Sequence, residues 1–512
     1  MMRKTSKEIL ERGIQVPKPD EIPLAKNYVP TGLPCTEGKM FIEVFGQQIL
    51  DAPLFTDRCA AALPRPPKHG TKLLANSVLM GLELLHLSRA VYPTPNLGRL
   101  NNRVLEILAS GYVVRHPFKS RDFNWVVYTL STSTPDQIRT MLRRPKAVPP
   151  LGLMVRGVSG MGKTFGLEYV LGLIDQVWQH NSPDGKFEAI QVVWLHVECP
   201  PTGSLKALLL NILLELDKVV GTTYYVDWLN SRYSTDVILI NVALILYNHN
   251  LGLLVLDELQ HLAARGLAET DANLNFFVSL MNFLCLPIIS VGTHAAEKVL
   301  TGRMRDGRRL SSAGSIEFRR YGRHEAIMTS LHNYYLKFLP NTNERPVTPE
   351  LEDSIYDVHQ GLQFLIPNLV HRCSVECSYR GERFITSEIL KYYREVELAP
   401  IGRALDALAS NDPDQLAQFD DLMSTKAIET LRQHQKGLDE KKPTGSAGVA
   451  SAARHGNLYR TDADFPSDHL TFDQINAQCD LTASLVGTGD LYSSLKQAGH
   501  IAAALPYGRW DV

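Results

Sequence analysis

The chain has 512 residues, 44% of them hydrophobic, and 53 Lys and Arg against 54 Asp and Glu, a formal net charge of −1. That apolar share supports a real core and excludes wholesale disorder; at ~150 residues per domain the length predicts about three domains. The near-zero charge excludes a uniformly polycationic protein but leaves room for a local basic stripe, and no run of eighteen or more apolar residues marks a membrane span.

The N-terminus, MMRKTSKEILERG, lacks the apolar core of a signal peptide. The cysteines (Cys35, Cys59, Cys199, Cys285, Cys373, Cys377 and Cys479) are scattered and odd in number, as in a protein of reduced thiols. A cytoplasmic location is expected. Residues 1–132 read as a proline-rich N-terminal extension of mixed helical character. Its best helix is Thr71–Tyr92, with apolar residues at helical spacing, and Gly111–Asp122 reads as an irregular basic connection.

Residues 133–320 read as one domain, within which the pattern changes from Leu151. A helix signal at Ser133–Asp136 leads through Pro145, Pro149 and Pro150 to a strand, LGLMV. Apolar runs then alternate with helical stretches: AIQVVWLHV, SLKALLLNILLELDKVV, LGLLVLD and LPIISVG. Such alternation predicts an α/β fold with a parallel sheet covered by helices on both faces.

Residues 321–410 read as a small helical domain. In it Cys373 and Cys377, four apart, share a helix face. Only His371 stands near enough to assist a metal, so buried thiols are favoured over zinc. Residues 411–512 are a polar tail, expected to be partly disordered, with a linker at 436–457. The final SSLKQAGHIAAALPYGRWDV reads equally as a partner-docking segment or as a last helix packed on its own body.

Within the sheet region, Gly157-Val-Ser-Gly-Met-Gly-Lys-Thr164 satisfies G-x-x-x-x-G-K-[ST] between a strand and a helix. Its glycines let the backbone wrap a phosphate, and the amides at the helix start favour an anion. The candidate nucleotide contacts are Gly157, Ser159, Gly160, Met161, Gly162, Lys163, Thr164 and Phe165. Lys163 is expected to reach the β- and γ-phosphates of ATP, and the Thr164 hydroxyl to meet Mg²⁺.

LGLLVLDELQHLA delivers Asp257 at a strand end, placed to hold the Mg²⁺ shell. Glu258 follows as the residue that orients or deprotonates the attacking water. One strand later Thr293 is placed to sense the γ-phosphate, or to act as an N-cap before an Ala-rich helix. Arg309, and after it Arg308, in GRMRDGRRLSS are candidates to reach the γ-phosphate of a neighbouring subunit, which requires an oligomer; a basic run also suits a solvated face.

Strand, Asp-Glu, LQHL and then NFFVSLMNFLCLPIISVGT resemble the TnsC/TniB family of AAA+ transposition regulators, which are distantly similar to MuB. GVSGMGKT, GSLKALLLNILLELDKVVG and GYVVRHPF add to the resemblance, which spans about Gly111 to Phe318. It implies an AAA+ P-loop NTPase with a helical lid. It also implies a bacterial, DNA-associated ATPase that assembles on double-stranded DNA as a ring or filament. Such a protein links a target selector (TniQ/TnsD-like) to transposase subunits (TnsA/TnsB-like), with hydrolysis as a timing or disassembly step.

The lid departs from the pattern. HQGLQFLIPNLVHRC has Gln363 and Pro367 where charged residues are usual, and no Gly-x-Arg. Candidate phosphate-backbone contacts are Arg115, Lys119, Arg121, Thr202, Lys206 and Arg232, each singly more often a solvated charge. A STAND-type signalling NTPase is the alternative, with a nucleotide kinase behind it.

Overall fold

The computed structural model describes residues 22–66, 76–115, 150–181, 188–229, 232–265, 284–296, 304–341, 346–419, 421–423 and 428–433, with positions 270, 274, 275, 277, 278, 280, 281 and 299. All lie in one unit, Met1–Pro443. Lys119, Arg121, residues 133–149, Cys479, the linker 436–457 and the C-terminal segment fall outside the described residues.

Among the described residues the strands are β1 (Gly152–Gly157), β2 (Val177–Asn181), β3 (Glu188–Val192), β4 (Trp194–Glu198), β5 (Leu253–Asp257), β6 (Ile288–Gly292) and β7 (Ser315–Phe318). Five form one sheet in the order β4-β5-β6-β1-β7, and every pairing in it is parallel. All residues of β5 and β6 are buried, as expected of strands covered on both faces. β6 lies between β1 and β5, so the carboxyl ends that carry Gly157, Thr293 and Asp257 stand side by side.

AIQVVWLHV was expected as one strand and is two. β3 pairs antiparallel with β2 in a separate hairpin, whereas β4 pairs with β5. The chain changes neighbour at Val193, whose N–H donates to Gln176 O at 2.7 Å. The turn signal Pro183-Asp184-Gly185 between β2 and β3 is the local clue to the hairpin.

The N-terminal part differs likewise. Thr71–Tyr92 is expected as its best helix; among the described residues of that stretch stand a helix, Ser77–Leu84, and a 3-10 turn, Leu85–Arg89. The long helix is Pro95–Val114. Thr94 caps it, accepting the Leu97 N–H at 3.3 Å, and Pro95 occupies its first position. Gly98, Asn101, Asn102 and Gly111 are poor helix formers and hide it in the sequence. Tertiary burial of Leu97, Leu100, Val104, Ile107, Leu108 and Tyr112 sustains it instead.

The lid is helical, as expected: Ala326–Tyr335, Pro349–His359, Leu365–Arg380, Ser387–Tyr392 and Gly402–Ser410. One buried cluster runs from Phe41 through β1 and the lid to Leu431. Leu416, Leu422 and Leu431, assigned to the polar tail by composition, thus belong to the core. Cys373 and Cys377 are buried on Leu365–Arg380, and His371 Nε2 bonds the Gly81 carbonyl at 3.0 Å. Among the described residues no helix is long and apolar enough to cross a membrane.

Candidate functional site: a phosphate loop and an acidic strand end

The loop after β1 has the backbone its glycines permit. Gly157, Gly160 and Gly162 have φ of +149°, +78° and +78°, a region that side chains with a Cβ rarely enter. Gly162 precedes the helix Lys163–Gly172. Lys163 is buried, and its Nζ donates to Gly157 O at 3.1 Å and Val158 O at 2.9 Å. Burial pushes its pKa down, against the carboxylates of Glu258, Asp257 and Asp421. A polyphosphate would supply the counter-charge this ammonium needs.

Thr164 Oγ1 donates to Asp257 Oδ2 at 2.8 Å, across 93 residues of sequence. Asp257 Oδ1 accepts the Glu258 N–H at 2.8 Å, and His196 Nε2 lies 3.2 Å from Oδ2. Burial alone would raise the Asp257 pKa, but the hydrogen bonds from His196, Thr164 and Glu258 N–H hold it below the usual value. The carboxylate is therefore ionised.

Glu258 has φ of +52°, a left-handed conformation that costs a non-glycine residue ~1–3 kcal/mol and clusters at functional sites. Glu168, His196, Glu198 and Glu215 join Thr164, Asp257 and Glu258 around an open cavity of about 310 Å³. His196 and Glu198 alternate on β4 and so share a face. The motif reading missed both, because nothing local marks them.

Thr293 sits just past β6 and is buried, as is His294. His294 Nδ1 has no hydrogen-bond partner among the described residues. Gln260 Oε1 accepts the Thr293 N–H at 3.2 Å. On the other side, two elements close on the loop. Phe364 N–H donates to Gly160 O at 3.1 Å, and Asp421 O accepts the Ser159 N–H at 3.3 Å. Phe364 and Asp421 come from the lid and the segment after it, and the sequence reading named neither. Ser159 and Phe165 are exposed, whereas Met161 is buried.

The remaining candidates are spread out. Arg308 and Arg309 lie in the last turn of Met304–Leu310. The Arg309 carbonyl would lie 2.5 Å from a Cβ on Gly152, at the amino end of β1 and so opposite the phosphate loop. These arginines do not meet their own chain's loop. Thr202 is exposed and Lys206 half-buried, at the start of Leu205–Val220; Arg232 is exposed after Tyr224–Leu229. The neighbouring Gly203 packs on the turn after Glu258, where a Cβ would lie 3.0 Å from His261 O. Arg115 is committed to protein carbonyls, those of Leu251 at 2.6 Å, Gly252 at 3.3 Å and Gly111 at 3.2 Å.

Comparison with known proteins agrees with the resemblance read from the sequence. Residues 118–313 match the family "Bacterial TniB protein". No curated protein matches the chain. Similar solved structures include a Walker-type ATPase of Pyrococcus abyssi, 15% identical, covering 59% of this chain and 89% of that one, with a TM-score of 0.32. Cdc6p from Pyrobaculum aerophilum is 14% identical, covering 63% of this chain and 86% of that one, with a TM-score of 0.32. Drosophila ORC bound to DNA is 12% identical, covering 76% of this chain and 91% of that one, with a TM-score of 0.31. Residues 118–313 are thus similar to TniB proteins, and the strand order, phosphate loop and acidic strand end are those of an AAA+ P-loop ATPase.

Proposed function

We propose that this ATPase is a DNA-binding regulator of transposition. It assembles as a ring or filament on duplex target DNA and links a TniQ/TnsD-like target selector to TnsA/TnsB-like transposase subunits. The match of residues 118–313 to the TniB family carries this reading.

At the site, the loop Gly157–Thr164 holds the ATP phosphates, and Lys163 turns from its two carbonyls to the β- and γ-oxygens. Thr164 and Asp257 offer the hard oxygens Mg²⁺ prefers. These two residues would hold the ion, which would neutralise phosphate charge when bound. Glu258 orients and deprotonates the attacking water, and Thr293 reads the γ-phosphate. Arg309, or Arg308, serves the neighbouring subunit's nucleotide; its position at the opposite end of β1 supports that assignment over a role in its own site. Thr202 and Lys206 contact the DNA backbone, with Arg232 as a further candidate.

Glu258→Gln tests the switch. The variant is expected to bind ATP normally, hydrolyse it at least a hundredfold more slowly and stay on duplex DNA. Electron microscopy of protein, duplex and a non-hydrolysable ATP analogue should show rings or filaments. Monomers that ignore DNA would sink the proposal.

A further inference from the structure

The motif LDELQHL contains a residue that neither the loop nor the acidic pair accounts for. Gln260 lies in the 3-10 segment Leu259–Arg265, and its Nε2 donates to Glu258 Oε2. Its Oε1 accepts the Thr293 backbone N–H at 3.2 Å. One side chain thus joins the carboxylate that follows β5 to the first residue past β6.

The seat is tight. A Cβ on Gly292 would lie 2.7 Å from Gln260 Oε1, so the carboxamide rests over a glycine. Glu258 stands in the left-handed region, with its N–H already given to Asp257 Oδ1. Its backbone is therefore fixed, whereas its side-chain torsions need an outside partner. A carboxamide suits that place: one end donates to a carboxylate, the other accepts a backbone N–H, and neither titrates.

We infer that Gln260 is a positioning residue that sets the Glu258 carboxylate against the attacking water and ties it to the Thr293 end of β6. Engagement of the γ-phosphate at Thr293 is thereby passed to Glu258. This rests on the reading of Glu258 as the residue that orients water.

Gln260→Met keeps the length and removes both hydrogen bonds. Its kcat for ATP should fall about 10–100-fold, the loss expected when a general base is misplaced by ~1 Å. KM for ATP and affinity for ADP should stay within about twofold, because neither hydrogen bond touches the phosphate loop. Gln260→Glu, which keeps the acceptor toward Thr293 but meets Glu258 with an oxygen, should lose kcat similarly; it serves if the Met variant does not fold. In a Glu258→Gln background the Met substitution should add no further loss.

Parent-like or faster turnover by the Gln260 variants, with Glu258→Gln slow, overturns the role of Gln260 and leaves Glu258 standing. Undiminished turnover by Glu258→Gln overturns the reading of Glu258, and the inference with it. Weakened ADP binding, or an equal further loss in the double variant, makes Gln260 a merely structural residue and also overturns it.

Discussion

Replacing Arg115 with methionine separates two roles for the same charge. The guanidinium donates to the carbonyls of Leu251 at 2.6 Å, Gly252 at 3.3 Å and Gly111 at 3.2 Å, and lies 5.1 Å above the Tyr112 ring. Tyr112 Oη donates to Asn250 O at 2.8 Å. Together they fasten the end of Pro95–Val114 to the turn that feeds β5, the strand that delivers Asp257. Gly252 leaves no slack there, since a Cβ would lie 2.4 Å from Tyr112 Oη.

Hydrogen bonds to a charged donor contribute ~1.5–3 kcal/mol each, and a cation over an aromatic face ~0.5–2 kcal/mol. Desolvation of the guanidinium opposes this; burial pulls its pKa below the usual arginine value, although Arg115 remains charged. A net loss of about 2–4 kcal/mol is expected, a large share of a typical domain's ~5–15 kcal/mol. Urea unfolding should therefore show a lower midpoint, whereas the salt dependence of duplex DNA binding should not change. A phosphate contact would behave in the opposite way. Stability would hold within ~0.5 kcal/mol, and the slope of log K against log salt would shrink by about 0.9. That outcome would refute the structural role argued from the carbonyls.

Two further tests address the loop and the core. Gly160→Ala places a Cβ 2.3 Å from Phe364 Cδ1 on a backbone with φ of +78°. Nucleotide affinity should drop ~10-fold or more, and adding Phe364→Ala should restore only part of it, because the φ strain remains; full recovery would mean that strain is unimportant. His180 and His249 are buried, and burial depresses both pKa values from 6.5 to about 4. The unfolded chain then binds protons first, so stability present above pH ~6.5 is lost as pH falls toward ~4, by roughly 3 kcal/mol per histidine. His249→Gln should flatten the fall in urea midpoint across that window; a curve as steep as the parent's would count against the burial argument.

The phosphate loop and the Asp-Glu pair are readable because each is a contiguous stretch with a local cause. Glycines admit the positive φ of the loop, and a wholly apolar run makes a strand that ends on two carboxylates. The helical lid is legible as well, since the stretch carries no strand-like runs.

Composition misjudges the ends of that reading. The polar stretch after Ser410 still places Leu416, Leu422 and Leu431 in the core, because a few apolar contacts, and not the average, decide packing. Glycine and asparagine likewise conceal the helix Pro95–Val114 that tertiary burial sustains.

Thus the sequence by itself determines the glycine-rich loop and the carboxylates at the end of β5, through neighbours along the chain. Tertiary structure alone places β6 between β1 and β5 and sets Asp257 against a threonine 93 residues away. It also spends Arg115 on carbonyls, and brings Gln260 from Glu258 to Thr293. Each of these depends on strand order, and strand order is settled by long-range burial that no local stretch encodes.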